Sequence, residues 1–199
     1  MLMLFTMLAL LIFAYVCGSL SSAIIVSRIF GLPDPRTDGS GNPGATNVLR
    51  LGDKKLAILV LFGDVIKGIV PIFIARFFLS THLIGWIGLA AILGHIFPVF
   101  FQFKGGKGVA TALGVLLALS LPVGLSVLAT WIFIAAVSRY SSLAAIIATL
   151  VAPVYTILLA NRFYFWPVVV ISLLVLWRHQ DNIKRLIAGT EMKIGSKKV

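Results

Sequence analysis

Residues 36–50 read RTDGSGNPGATNVLR, a stretch whose residue types could hold a phosphate. Glycines at 39, 41 and 44 allow successive backbone N–H groups to converge on one spot, where a Cβ would obstruct the anion. Ser40, Asn42, Thr46 and Asn47 add hydroxyl and amide donors, and Arg50 adds a planar fork suited to phosphate oxygens. Residues 39–46 fit the spacing of a nucleotide P-loop, but Ala45 stands where that loop has its lysine. No strand and helix of a soluble nucleotide fold flank it either. An ordinary turn also uses Gly, Asn and Pro, yet it would not need this concentration of donors.

Two further polar segments carry related chemistry. Residues 94–111 read GHIFPVFFQFKGGKGVAT and set Gly105, Gly106 and Gly108 beside Lys104 and Lys107 just before a helix start. Free N–H groups and the helix dipole favour an anion there, while a pair of snorkelling boundary lysines is the plainer alternative. His95, about two turns inside an apolar run, suits a structural hydrogen bond at least as well as a catalytic role. Residues 177–191 read WRHQDNIKRLIAGTE. At helical spacing Arg178, His179, Asn182 and Arg185 share a face, and Ile183, Leu186 and Ile187 form an apolar stripe. That pattern predicts an interfacial helix, whose plain alternative is adhesion to anionic lipid. Asp64 and Lys67 lie within an apolar run about one turn apart, so they should pair or face the bundle interior. Arg139, Tyr140, Ser141 and Ser142 form a short loop whose hydroxyls could reach a substrate.

The elements that must position these segments are membrane helices. The chain is 60% hydrophobic with a mean hydropathy of +1.07, beyond what a soluble fold can bury. Apolar runs fall at residues 2–26, 56–78, 83–103, 109–121, 123–137, 143–159 and 163–177. They predict an all-α polytopic bundle of about seven spans in a single domain over residues 1–199. Excess Lys and Arg marks cytoplasmic loops. With the N-terminus outside and the C-terminus cytoplasmic, Arg28, Arg36, Arg50, Lys54, Lys55, Lys104, Lys107, Arg139, Arg178, Lys184, Arg185, Lys193, Lys197 and Lys198 fall inside. Only Arg76 and Arg162 then lie outside, with Lys67 inside a run and uncounted. This argues for a helix break at Pro122, although a five-span reading has the same parity. The three polar segments then share one face.

The net charge of +11 fits inner loops and anionic ligands, and no aromatic-rich polar platform accompanies it to suggest nucleic acid. Cys17 is the only cysteine and lies in an apolar run, so neither a disulfide nor a zinc cluster is expected. Residues 1–13 lack a basic leader, and the first run reads as a retained helix.

With these motifs in hand, the chain resembles the bacterial acyl-phosphate:glycerol-3-phosphate acyltransferases, the PlsY family. The three family motifs match residues 39–50, 94–111 and 178–191, in order and at family spacing. The resemblance implies transfer of a fatty acyl group from acyl phosphate to the sn-1 hydroxyl of glycerol 3-phosphate, giving lysophosphatidic acid and phosphate. It implies a seven-helix protein of the bacterial inner membrane with its active site facing the cytoplasm. By position it makes Ser40 and Arg50 an essential pair, gives His179 and Asn182 catalytic weight, and assigns glycerol 3-phosphate to the glycines and lysines of the second motif. Gly39, Gly41, Asn42, Gly44, Thr46, Asn47, Thr111, Ser142 and Arg185 complete the expected substrate-binding set, and Glu191 looks structural.

An acyl phosphate is already activated, so positioning two phosphates and stabilising an oxyanion would suffice without a metal or organic cofactor. The expected partners are the two substrates and membrane lipid, with no nucleic acid and no obligate protein. His179-x-Asp181 is the only His–Asp pair close in sequence, and Cys17 is remote from the polar loops. Direct attack by the glycerol hydroxyl follows, its proton going to the substrate phosphate or to His179. The main rival, a transporter of a phosphorylated metabolite, would need polar residues threading to the outer half, where little beyond Arg76, His82 and Arg162 is found. A non-catalytic membrane scaffold is the third class.

Overall fold

The computed structural model describes residues 1–52 and 54–195; Lys197 and Lys198, counted above with the basic inner side, lie outside them. The described residues form helices and no strands: α1 Leu2–Ser19, α2 Ser22–Ile29, α3 Ala45–Arg50, α4 Lys54–Ala75, α5 Thr81–Ile96, α6 Val109–Leu119, α7 Leu121–Ser138, α8 Ser141–Leu159, α9 Phe165–Arg178 and α10 Gln180–Ile187. Each apolar run thus holds a helix, long in every run but 109–121. Five are long and apolar enough to cross a bilayer alone: α1, α4, α5 with the 3-10 turn Val99–Phe101, α7 and α8. A sixth arises when α9, extended back to Arg162, is joined to α10 across a 56° bend. α6 has only 11 residues.

Local chemistry sets the breaks. Ser120 is extended at φ −155°, and Pro122 sits in the first turn of α7, where its missing N–H leaves no bond unmade. The break predicted near Pro122 therefore falls at Ser120. Run 2–26 is two helices rather than one. Leu20 leaves the helical region at ψ 98°, and the Ser19 hydroxyl donates back to the Tyr15 carbonyl at 2.8 Å, a local bond that competes with helix continuation.

The bundle is held by small residues at its crossings, as expected where lipid supplies no hydrophobic drive between helices. α1 and α5 cross where a Cβ on Gly18 would strike the Ala91 carbonyl and one on Gly94 the Tyr15 carbonyl. α4 and α6 cross in the same reciprocal way, Gly68 against the Thr111 carbonyl and Gly114 against the Val65 carbonyl. Ile72, Ile87, Ile92, Val115 and Val175 fill the centre, while Phe62, Phe73, Phe77, Phe133 and Trp166 are exposed. Large apolar side chains on the outside and small residues at the crossings are the pattern of a bundle solvated by lipid.

Substituting Gly114 with Leu should force α4 and α6 apart and cost about 1–3 kcal/mol or more of stability. Thermal unfolding in detergent checks this, with Phe133→Leu on the exposed face as a control that should shift little.

Candidate functional site

The first polar segment folds around one buried side chain. Asn47, 1% exposed, accepts from the Ser40 N–H at 2.8 Å through Oδ1, and its Nδ2 donates to the carbonyls of Pro35 and Asp38 at 2.9 Å each. Gly39 and Gly41 make the loop's left-handed turns at φ +64° and +70°. A Cβ on Gly39 would strike the Asn47 amide. α3 then begins at Gly44 and carries Arg50 in its last turn.

The second segment closes against α5. Gly106 N–H donates to the His95 carbonyl at 3.2 Å, and a Cβ on Gly105 would collide with that same oxygen. Arg178, in the last turn of α9, donates to the Gly106 carbonyl from Nε at 3.4 Å and to the Gly105 carbonyl from Nη2 at 3.3 Å. Gly108 turns the chain into α6 at φ +88°, leaving Lys107 half-buried at the end of the loop.

The third segment forms a separate amphipathic helix after α9, as its spacing predicts, but Arg178 and His179 lie before it. The chain bends at His179 between α9 and α10, so Arg178 turns to the glycine loop while Asn182 and Arg185 face elsewhere. His179 Nδ1 lies 2.7 Å from the Val175 carbonyl. A carbonyl oxygen can only accept, so Nδ1 carries the proton and Nε2 of the neutral ring is free to accept one. Ile187, assigned to the apolar stripe, is 84% exposed.

Glu191 joins these parts. Its Oε1 accepts from Ser142 Oγ and Asn182 Nδ2, and its Oε2 from Arg185 Nε, each at 2.7 Å. Burial by itself would raise its pKa, but the hydrogen bonds from Ser142, Arg185 and Asn182 outweigh it and hold the carboxyl below its ordinary value. Lys107 donates to Asn182 Oδ1, and Arg50 Nη2 reaches the Met192 carbonyl at 3.4 Å. Burial, followed by repulsion from Arg185, pushes the Lys107 ammonium down to about 8. Arg50 is likewise lowered by burial but stays a cation at any physiological pH.

These groups surround one cavity of about 460 Å³. Of the expected site residues, Ser40, Asn42, Gly44, Thr46, Asn47 and Arg50 line it from the first segment. Lys107 and Gly108 line it from the second, and His179, Asn182, Arg185 and Ser142 complete the polar end. Thr46 and Ser141 hydroxyls meet at 3.2 Å, tying α3 to the start of α8. Gly39, Gly41, Lys104, Gly105, Gly106 and Thr111 are not on the wall. Lys104 is exposed, Gly105 and Gly106 are buried behind the loop, and Thr111 is fully buried. The sequence reading missed the other end. Leu113, Leu116, Trp131, Ala152, Val168 and Ile171 from α6, α7, α8 and α9 form an apolar bore continuous with the polar basin. Apolar residues inside apolar helices carry no mark that separates bore from core.

A cationic basin opening onto an apolar bore, inside a helical bundle, defines a multi-pass membrane protein shaped for an anionic amphiphile. The family model described as glycerol-3-phosphate acyltransferase matches residues 8–189. A glycerol-3-phosphate acyltransferase of Methylococcus capsulatus is 56% identical over 189 residues, 94% of this chain and 96% of that protein. One from Coxiella burnetii is 50% identical over 185 residues, 92% of this chain and 96% of the relative. The crystal structure of PlsY (YgiH), an integral membrane glycerol 3-phosphate acyltransferase, superposes in its glycerol 3-phosphate form with a TM-score of 0.91 at 42% identity, covering 96% of both chains. Its lysophosphatidic acid form gives 0.88 at the same identity and coverage. This chain belongs to the glycerol-3-phosphate acyltransferase family.

Replacing Asn47 by Ala would strip the first loop of its three backbone hydrogen bonds and leave buried backbone groups unpaired. A loss of about 2 kcal/mol or more is expected, together with faster proteolysis within residues 34–44. Thermal unfolding and limited proteolysis in detergent measure both.

Proposed function

We propose that the chain, as a single membrane domain over residues 1–199, moves a fatty acyl group from acyl phosphate to the sn-1 hydroxyl of glycerol 3-phosphate. The products are lysophosphatidic acid and inorganic phosphate. The observation that carries the reading is the two-ended cavity: its polar basin holds Arg50, Lys107 and Arg185, and its bore is apolar. An acyl tail in the bore brings its carboxyl carbon to the basin, where cations and N–H donors neutralise two phosphates and the oxyanion that develops between them. The glycerol hydroxyl oxygen forms the new ester bond, the carbon–oxygen bond to phosphate breaks, and phosphate leaves with that electron pair. The hydroxyl proton goes to the acceptor's own phosphate or to the free Nε2 of His179. Ser40 and Arg50 hold the donor's reacting end, and Asn182 aligns Lys107.

The charge distribution supports seven spans, with the N-terminus outside and the basin open to the cytoplasm of a bacterium. In that topology α6 is the short span and α9 the last one. The tail can then stay in the bilayer while the soluble acceptor arrives from water.

Detergent-purified protein should release phosphate from palmitoyl phosphate only when glycerol 3-phosphate is present. Activity confined to acyl-CoA would overturn the donor assignment. Ser40→Ala, Arg50→Ala and Lys107→Ala should each lower kcat/KM by at least tenfold with normal folded yield, as loss of a charge-assisted hydrogen bond of about 1.5–3 kcal/mol implies. Near-normal rates in all three would sink the phosphate basin.

The lowered Lys107 pKa adds a pH signature. The ammonium is charged below about 8 and neutral above it, so anion binding weakens as pH rises. KM for glycerol 3-phosphate should climb up to about tenfold from pH 7 to 9, and Lys107→Arg should flatten the profile because a guanidinium does not titrate there. A wild-type profile already flat over that interval would remove Lys107 from the binding step.

A further inference from the structure

Asp64, Lys67 and His95 take no part in the chemistry above, yet they are 2%, 6% and 6% exposed. Lys67 Nζ lies 2.8 Å from Asp64 Oδ1, and the same Asp64 oxygen lies 3.8 Å from His95 Nδ1. Burying an ion pair this deep in a lipid-solvated bundle is costly, and a well-packed apolar trio is often no less stable. Stability alone therefore does not account for them.

Their outward contacts point to a different purpose. Lys67 Nζ donates at 2.8 Å to the carbonyl of Leu20, the residue where α1 breaks before α2. α2 leads directly into the loop that Asn47 organises. At the other end, the His95 ring fills the space a Cβ on Gly106 would need, and the His95 carbonyl accepts the Gly106 N–H. Gly106 immediately precedes Lys107. One buried cluster thus touches the approach to the first phosphate segment and the turn that presents the second. α1 reinforces the link, since Tyr15 Oη donates to the Phe97 carbonyl at 2.7 Å and Ser19 Oγ accepts from the Val99 N–H at 3.4 Å.

We propose that Asp64, Lys67 and His95 are positioning residues for the acceptor's phosphate: the cluster fixes the Gly105–Gly106 turn relative to the α1–α2 break and so places Lys107 in the basin. This rests on the reading that Lys107 binds the phosphate of glycerol 3-phosphate. Asp64 and His95 also border the cavity and Lys67 does not; the role assigned to all three is exerted through the loop that carries Lys107. Their removal should weaken acceptor binding more than donor binding, because the apolar bore is built mainly by α6, α7, α8 and α9.

The test uses the full chain in detergent, with KM for glycerol 3-phosphate and for palmitoyl phosphate measured separately. Asp64→Asn and Lys67→Met should each raise the acceptor KM by about tenfold and change the donor KM by less than about twofold, with Lys67→Arg restoring most of the loss. His95→Gln keeps the ion pair and removes only the ring behind Gly106; it decides the matter if the charge variants do not fold, with an expected acceptor KM rise of about fivefold. Because the cluster acts through Lys107, the double variant His95→Gln with Lys107→Ala should raise KM no further than Lys107→Ala alone. An unchanged acceptor KM in the cluster variants, with kcat falling only as folded protein falls, overturns the inference while a raised KM in Lys107→Ala leaves the phosphate reading standing. If Lys107→Ala also leaves that KM unchanged, the phosphate reading fails and this inference with it.

Discussion

The basin depends on the coordination of Glu191. One carboxylate, its side chain almost wholly covered, takes hydrogen bonds from Ser142, Asn182 and Arg185. It thereby ties the start of α8, the helix α10 and the C-terminal segment into one unit. Asn182 in turn receives Lys107. Without an anion at this point Lys107, Arg50 and Arg185 would repel one another where partial burial weakens screening by water. Glu191 lets cations gather before any substrate phosphate is bound, and because its three donors come from two elements, α8 and α10, its position also fixes theirs.

The glycine crossings provide the complementary constraint. By bringing α1 against α5 and α4 against α6 at backbone contact, they consume the interior on one side of the bundle and leave the space between α6, α7, α8 and α9 for the bore. Cavity and core are thus made by the same packing rule applied unequally. Where small residues face carbonyls the helices close; Ala148, Ala152, Trp131 and Leu113 instead line the space that is left.

Much of this was legible in the amino-acid sequence. Apolar runs located every long helix, and the glycine-rich and basic segments located the polar wall, because charge and hydropathy are local properties of the chain. What escaped was the division of labour within each segment. Lys104 and Lys107 are indistinguishable by composition, yet one is exposed and the other half-buried on the wall, and the turn at Gly105–Gly106 decides which. Asn47, expected to bind substrate, lines the cavity but bonds its amide to its own loop, and Arg178, placed by its spacing on a polar face, bonds the Gly105 and Gly106 carbonyls. A side chain's partner is set by tertiary geometry, which residue type does not encode. The Asp64–Lys67 pairing followed from spacing alone; the approach of His95 did not, since it comes from another helix.

The shortness of α6 has a consequence for the surrounding lipid. Its 11 residues rise about 16 Å, roughly half of a hydrocarbon core about 30 Å thick. Its N-terminal turn packs beside Gly68 in the interior of α4, where the glycine loop precedes it, and at its other end Arg76 Nη2, just past α4, binds the carbonyls of Ala118 and Leu119 at 2.5 and 3.1 Å. As a span of its own, a helix this short would be a local hydrophobic mismatch and would make membrane thickness a variable for the bundle.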